Sequence, residues 1–177
     1  MLPWLVVCAI IALASQVRAE VTYRIVAKSG DAAPAIAAGE TAGLFAAFAD
    51  LPGDTGPVIN NAGQVAFSAR MRLAPSAIEP ALADAVAQQN DRGIWSEGGG
   101  RLRLVAREGM PAPGAASYFG NQLREPVLND LGQVAFQANL LGTMDDASLW
   151  IGGGNLLVPI ARTGDDPPPV TQDNDQF

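Results

Sequence analysis

Eighteen acidic residues against eleven basic ones, and no histidine at all, restrict the chemistry this chain can perform. The commonest general base is missing, and Cys8 is the only thiol. Histidine- and cysteine-based metal ligation, and thiol nucleophiles beyond residue 8, are thereby excluded. Carboxylates remain. A pair of them can hydrolyse a glycosidic bond, yet no two acids are marked by spacing as facing each other across a cleft. Asp165-Asp166 and the run Asp173-Asn174-Asp175 offer oxygens to calcium. That ion takes roughly six to eight, the spacing matches no complete loop, and solvated turn acids are the plainer reading. Arg101, Arg103 and Arg107 could line one face of a strand and receive a carboxylate or a sulfated sugar; charges on an edge strand are the alternative. Trp95 and Trp150 could stack on a sugar, but equal places in two similar segments favour core packing. The glycine runs at 98–100 and 152–154 follow no phosphate-loop pattern and read as turns. No catalytic residue, cofactor or metal site is expected.

The elements that would position these groups are repeated. Pro57-Val58-Ile59-Asn60-Asn61-Ala62-Gly63-Gln64-Val65-Ala66-Phe67 returns as Pro126-Val127-Leu128-Asn129-Asp130-Leu131-Gly132-Gln133-Val134-Ala135-Phe136. Asn at the first position and Gly at the fourth predict a hairpin built on a type I turn closed by a residue with positive φ. Beyond the turn, the large Val and Phe alternate with Gln and Ala, so one face is bulky and the other small. A strand pattern occurs three times, at 21–27, 102–109 and 157–165, and pairs a branched apolar residue (Val26, Val105, Ile160) with an Ala on the opposite face. Such strands expect neighbours on both sides. Trp95 and Trp150 lie on a further strand in each unit, each ten residues before Val105 and Ile160 respectively.

The interval from Phe67 to Trp95 is 28 residues, against 14 from Phe136 to Trp150, so the first unit carries an insertion. Pro80 followed by a stretch rich in Ala and Leu predicts a short helix there. The fold expected is all-β: antiparallel repeat units of about four strands, propeller-blade-like, two units plus a leading strand and the one helical insertion. The units span about 57–109 and 126–165 within a domain of 20–166, and a polar, Pro-rich tail occupies 167–177.

Residues 1–19 have the apolar run and small-residue exit, Val17-Arg18-Ala19, of a secretory signal peptide, too short to span a bilayer comfortably. Its loss removes one positive charge, Arg18, and takes the net from −7 to −8. That balance argues against nucleic acid as a partner. The expectation is an exported, periplasmic or extracellular protein with no disulfide and no membrane span in the mature chain.

Asn60, Gly63, Ala66 and Phe67, with Asn129, Gly132, Ala135 and Phe136, fit the pattern N-x-x-G-x-x-A-F. This resembles the bacterial secreted proteins with tandem NxxGxxAF repeats, described as having a choice of C-terminal anchors. The segment 105–114, Val-Ala-Arg-Glu-Gly-Met-Pro-Ala-Pro-Gly, is similar to one that accompanies the motif in that family. The resemblance implies export and a repeat architecture, but no activity or site. The chain departs from that family in having two full motifs and no C-terminal hydrophobic anchor with a basic tail, as expected of a truncated repeat protein. The expected function is non-catalytic, in cell-surface structure or binding, with self-association, other repeat units, a glycan or a surface protein as partners. The alternative is a secreted carboxylate-dependent polysaccharide hydrolase.

Overall fold

The structure, a computed structural model, describes residues 22–35, 41–48, 54–72, 90–142, 147–153 and 156–166. Ten strands follow in chain order: β1 Ala32–Pro34, β2 Thr41–Phe48, β3 Val58–Ile59, β4 Val65–Arg72, β5 Arg92–Ser96, β6 Arg103–Arg107, β7 Arg124–Leu128, β8 Val134–Asn139, β9 Ala147–Gly153 and β10 Leu156–Arg162. They form two antiparallel sheets. The first runs β1-β2-β4-β5-β6, with β3 also on β4; the second runs β10-β9-β8-β7. Along one side of β4, β3 takes Val65 and Ala66 while β2 takes the stretch from Ala69 to Arg72. Among the described residues there is no helix, and so none long and apolar enough to cross a membrane.

Around the motif, the registers of β3–β6 and β7–β10 coincide. Val58 faces Ala66 as Val127 faces Ala135, and Phe67 faces Trp95 as Phe136 faces Trp150. The last strands share even their irregularity. Val105 is bulged out between Leu104 and Ala106, and Ile160 between Pro159 and Ala161. A bulge bends its strand and leaves one residue without a cross-strand partner. Each Trp also meets a Phe from outside the hairpin edge to face: Phe45 on Trp95 at 5.0 Å and 71°, Phe119 on Trp150 at 4.9 Å and 76°. Phe45 and Phe119 are held alike, since their carbonyls accept from Gly30 N and Gly109 N at 2.8 Å in both cases.

Two buried clusters result. One contains Phe67, Ala69, Met71, Trp95 and Leu104 of the first sheet with Ala33 and Phe45, and Val26 and Ala27 pack against it. The other joins the sheets: Val134, Phe136, Ala138 and Trp150 of the second lie with Ala66, Ile94 and Ala106 of the first, and with Phe119 and Leu123. The bulky face of one sheet is thus buried on the small face of the other.

Residues 22–28, expected as a leading strand, join no ladder. Their counterparts β6 and β10 each pair with the Trp-bearing strand of their own sheet. Residues 22–28 precede any such strand, and side chains hold them instead, through Val26, Ala27 and the Arg24–Glu97 ion pair at 2.6 Å. The β1–β2 hairpin is absent from the sequence reading altogether. The signal peptide, the helical insertion and the 167–177 tail lie outside the described residues.

Phe67 and Phe136 are 5% and 1% exposed. Truncating either to Ala is expected to destabilise by about 3–5 kcal/mol, the usual cost of emptying an aromatic site. Chemical denaturation of the two variants checks it, and a change below about 1 kcal/mol would contradict their place in the cores.

Candidate assembly interface

Each hairpin turn is closed by its own asparagine. Asn60 Oδ1 accepts from Ala62 N and Gln64 N at 3.1 and 3.0 Å, and Asn129 Oδ1 from Leu131 N and Gln133 N at 3.0 and 2.9 Å. Both side-chain amides donate to the following glutamine, Gln64 or Gln133, at 2.8 Å. An Asn does this because its short carbonyl reaches backbone two residues on. The closing glycines sit at φ 74° and 76°, where a side chain is strained.

The two turns then meet. Asn60 Nδ2 also donates to Asn129 O at 2.9 Å, while Asn61 donates from its backbone N and its Nδ2 to the Asp130 carboxylate at 3.0 and 2.7 Å. These two bonds hold the Asp130 carboxyl below its ordinary range. Gly132 fits against Gly98 so closely that a Cβ on Gly132 would stand 2.2 Å from Gly98 O. Below the turns, a cleft of about 330 Å³ separates the sheets, with Arg103, Val105 and Met110 on one side and Val134, Gly152 and Leu157 on the other.

The sequence motif therefore builds a joint between sheets. Asn60, Gly63, Ala66, Phe67 and Trp95 sit in the first sheet, Asn129, Gly132, Ala135, Phe136 and Trp150 in the second. What differs is cover. Asn60, Ala66, Ser68 and Ile94 of the first sheet are buried, whereas Asn129, Gln137 and Leu149, their counterparts, are exposed and Ala135 is half-buried. Val105 packs into the joint between sheets, but Ile160 is 56% exposed. Gly132 is buried by Gly98, while a Cβ on Gly63 would meet open space.

The chemistry-bearing residues fall elsewhere. Trp95 and Trp150 are wholly buried, so neither offers a stacking surface to a sugar. Asp165 Oδ2 accepts from Arg162 N at 2.7 Å in a turn that Asp31 and Lys28 repeat; residues 173–175 lie outside the described residues. Among the described residues, no group of three or more acids converges as a metal site would require. Arg101 is exposed, Arg103 lies over Gly99, and Arg107 is half-buried. Glu97 is held below the usual carboxylate range by the Arg24 hydrogen bond. Glu108 is the opposite case: burial, and then the charge of Asp91, push its carboxyl up to about 7. It stands beside a buried ion pair, Arg92–Asp54, at 3.6 Å. Nothing in the motif pattern points to Glu108, since its counterparts in the other two strand copies are Ser29 and Thr163.

A family model matches residues 18–176. The chain belongs to DUF7453, a family of unknown function. No curated protein matches it, and no solved structure does.

The joint makes Gly132 and Gly63 unequal. Gly63→Ala is expected to cost about 1–2 kcal/mol, for the left-handed backbone only. Gly132→Ala adds the clash with Gly98 and should cost roughly 1–3 kcal/mol more. Equal melting temperatures would argue against the joint. Glu108 gives a pH signature. A carboxyl whose folded pKa is raised from 4.5 to about 7 contributes stability below pH 4.5 and loses it as the pH climbs through 7. Glu108→Gln, a mimic of the neutral acid, should match the parent at pH 5 and melt higher than it at pH 8.

Proposed function

We propose that this DUF7453 chain is an exported, non-catalytic β-repeat protein whose units are blade-like and whose business is assembly, in cell-surface structure or binding. The observation that carries the reading is the outer face of the second sheet, which is exposed among the described residues. Its counterpart on the first sheet is covered by the next unit, through defined polar and apolar contacts, while the outer face presents Leu149, Val158 and Ile160 to solvent. Exposed apolar groups in one patch mark an interaction surface.

The partner this face fits is another unit of the same kind, and a second copy of the chain supplies one. Asn129 Nδ2 and the Asp130 backbone N stand where Asn60 Nδ2 and Asn61 N stand in the first sheet. The Asn60–Gly63 turn of a second molecule offers a carbonyl and an Asn61 side-chain oxygen to them, and Gly63, whose carbonyl accepts from Arg24, has open space where a Cβ would stand, on the side that would meet Gly153. At that end Tyr23, Ile25 and Ile59 are also exposed. The contact is heterologous, head to tail, and so leads to rings or open chains. Resemblance to the NxxGxxAF proteins supports a repeat role, and the pattern of residues 1–19 supports export with cleavage after Ala19.

Light scattering on residues 20–177 over a range of concentrations tests the assembly. The expected outcome is a mass that rises with concentration in the parent. In Ile160→Asp it falls to that of one chain, with an unchanged melting temperature, because the substitution charges an exposed bulge outside either core. A cooperatively melting monomer at all concentrations would defeat the proposal.

A further inference from the structure

At the opposite ends of the strands from the asparagine turns, a cleft of about 470 Å³ is lined by Arg70, Arg92, Asn121, Gln122 and Arg124. Arg70 and Arg92 are direct cross-strand partners on β4 and β5. Like charges so placed repel and need anions near them. Two are supplied: Asp91 pairs with Arg70 and Asp54 with Arg92, each at 3.6 Å. The third guanidinium, Arg124, comes from the second sheet and donates to the neutral Gln122 Oε1 at 3.1 Å. A third cation thus stands at a cleft where, among the described residues, Asp91 and Asp54 already pair with the other two arginines and Glu108, beside Arg92, is a weakened acid with its carboxyl pushed up to about 7, in a chain whose net charge is −7.

The backbone that brings it there is strained. The β7–β8 register shifts between Arg124 and Val127, and Glu125 has φ 55°, the one non-glycine residue with positive φ among the described residues. It also precedes Pro126, where only extended backbone is comfortable. The same place in the first sheet is Thr55-Gly56, which has neither the arginine nor a positive φ. Bulges and strain of this kind re-aim side chains and gather at binding sites. The Glu125 carboxylate, meanwhile, accepts from Gln137 Nε2 at 2.5 Å and leaves Arg124 to the cleft.

We propose that this cleft binds an oxyanion, a carboxylate or a phosphate or sulfate group, carried by a molecule of monosaccharide size. Guanidinium forks match such groups with paired hydrogen bonds, and the Asn121 and Gln122 amides add donors and acceptors suited to hydroxyls. The volume falls within the roughly 300–1,000 Å³ of small-molecule sites. The site is independent of the assembly face, which lies on the outer side of the second sheet.

Isothermal titration of the purified protein with sodium glucuronate, glucose 6-phosphate and glucose tests this. Both anions should bind and glucose should not, and the tighter of the two names the group. Arg124→Gln should weaken binding at least tenfold. Arg101→Gln, which removes the same charge from an exposed arginine outside the cleft, should leave it unchanged. If Arg124→Gln does not fold, side-chain amide shifts of Asn121 and Gln122 in the parent report the same event. No binding of either anion at about 10 mM, a limit well below any useful affinity, would overturn the proposal. So would equal binding of glucose, equal loss in Arg101→Gln, or amide shifts at those two residues that do not move.

Discussion

Ala66 and Ala106 leave room that Phe136 and Trp150 fill, and the two sheets can approach only on those terms. Each sheet is asymmetric in size: aromatic and bulky on one face, methyl-sized or moderate on the other. Large side chains set into small ones give close packing without overpacking. The hydrogen bonds between turns depend on the same approach, since Asn60 Nδ2 reaches Asn129 O only when the sheets lie this near. A bulkier residue at Ala66 would separate the sheets at both the core and the turns. The joint is therefore one object, apolar below and polar above.

Much of this is legible in the sequence. The turn asparagines and glycines, the alternation that faces Phe67 and Phe136 inward, and the fixed interval from Trp to the bulged residue all follow from local chemistry repeated at matching spacing. Phe45 and Phe119 were not legible. They do the same work against Trp95 and Trp150, but stand 15 and 10 residues beyond Gly30 and Gly109, with unlike neighbours on either side. A signal was available in the runs Ala27-Lys28-Ser29-Gly30-Asp31-Ala32-Ala33-Pro34 and Ala106-Arg107-Glu108-Gly109-Met110-Pro111-Ala112-Pro113. Their shared Ala, Gly and Pro places precede Phe45 and Phe119 alike, one element before each hairpin.

The arginine cleft lay beyond sequence reasoning for a different reason. Arg70, Arg92 and Arg124 belong to three strands and two sheets, and no periodicity relates them; register pairs the first two, and the packing of the second sheet on the first brings Arg124 beside them. The leading segment misled in the other direction. Residues 22–28 have the alternation of a strand, but alternation describes which side chains can be buried and says nothing about whether a ladder is at hand. Val26 and Ala27 are half-buried without any sheet hydrogen bonding.

The turns at one end of the strands keep their length, while at the other end the connection from β4 to β5 takes residues 73–91 and that from β8 to β9 only residues 140–146. Length can change there because register is already decided at the asparagine end, and an insertion between strands whose pairing is set costs little more than loop-closure entropy. The molecule thus has a constant rim and a free one. Parts joined along the constant rim would all line up the same way, and their variable loops would gather on a single surface, much as the varied loops of an antibody domain collect at one end of an invariant sandwich. The three arginines stand on that free rim, so in a chain of such units each member could present a different pocket while the scaffold beneath stayed the same.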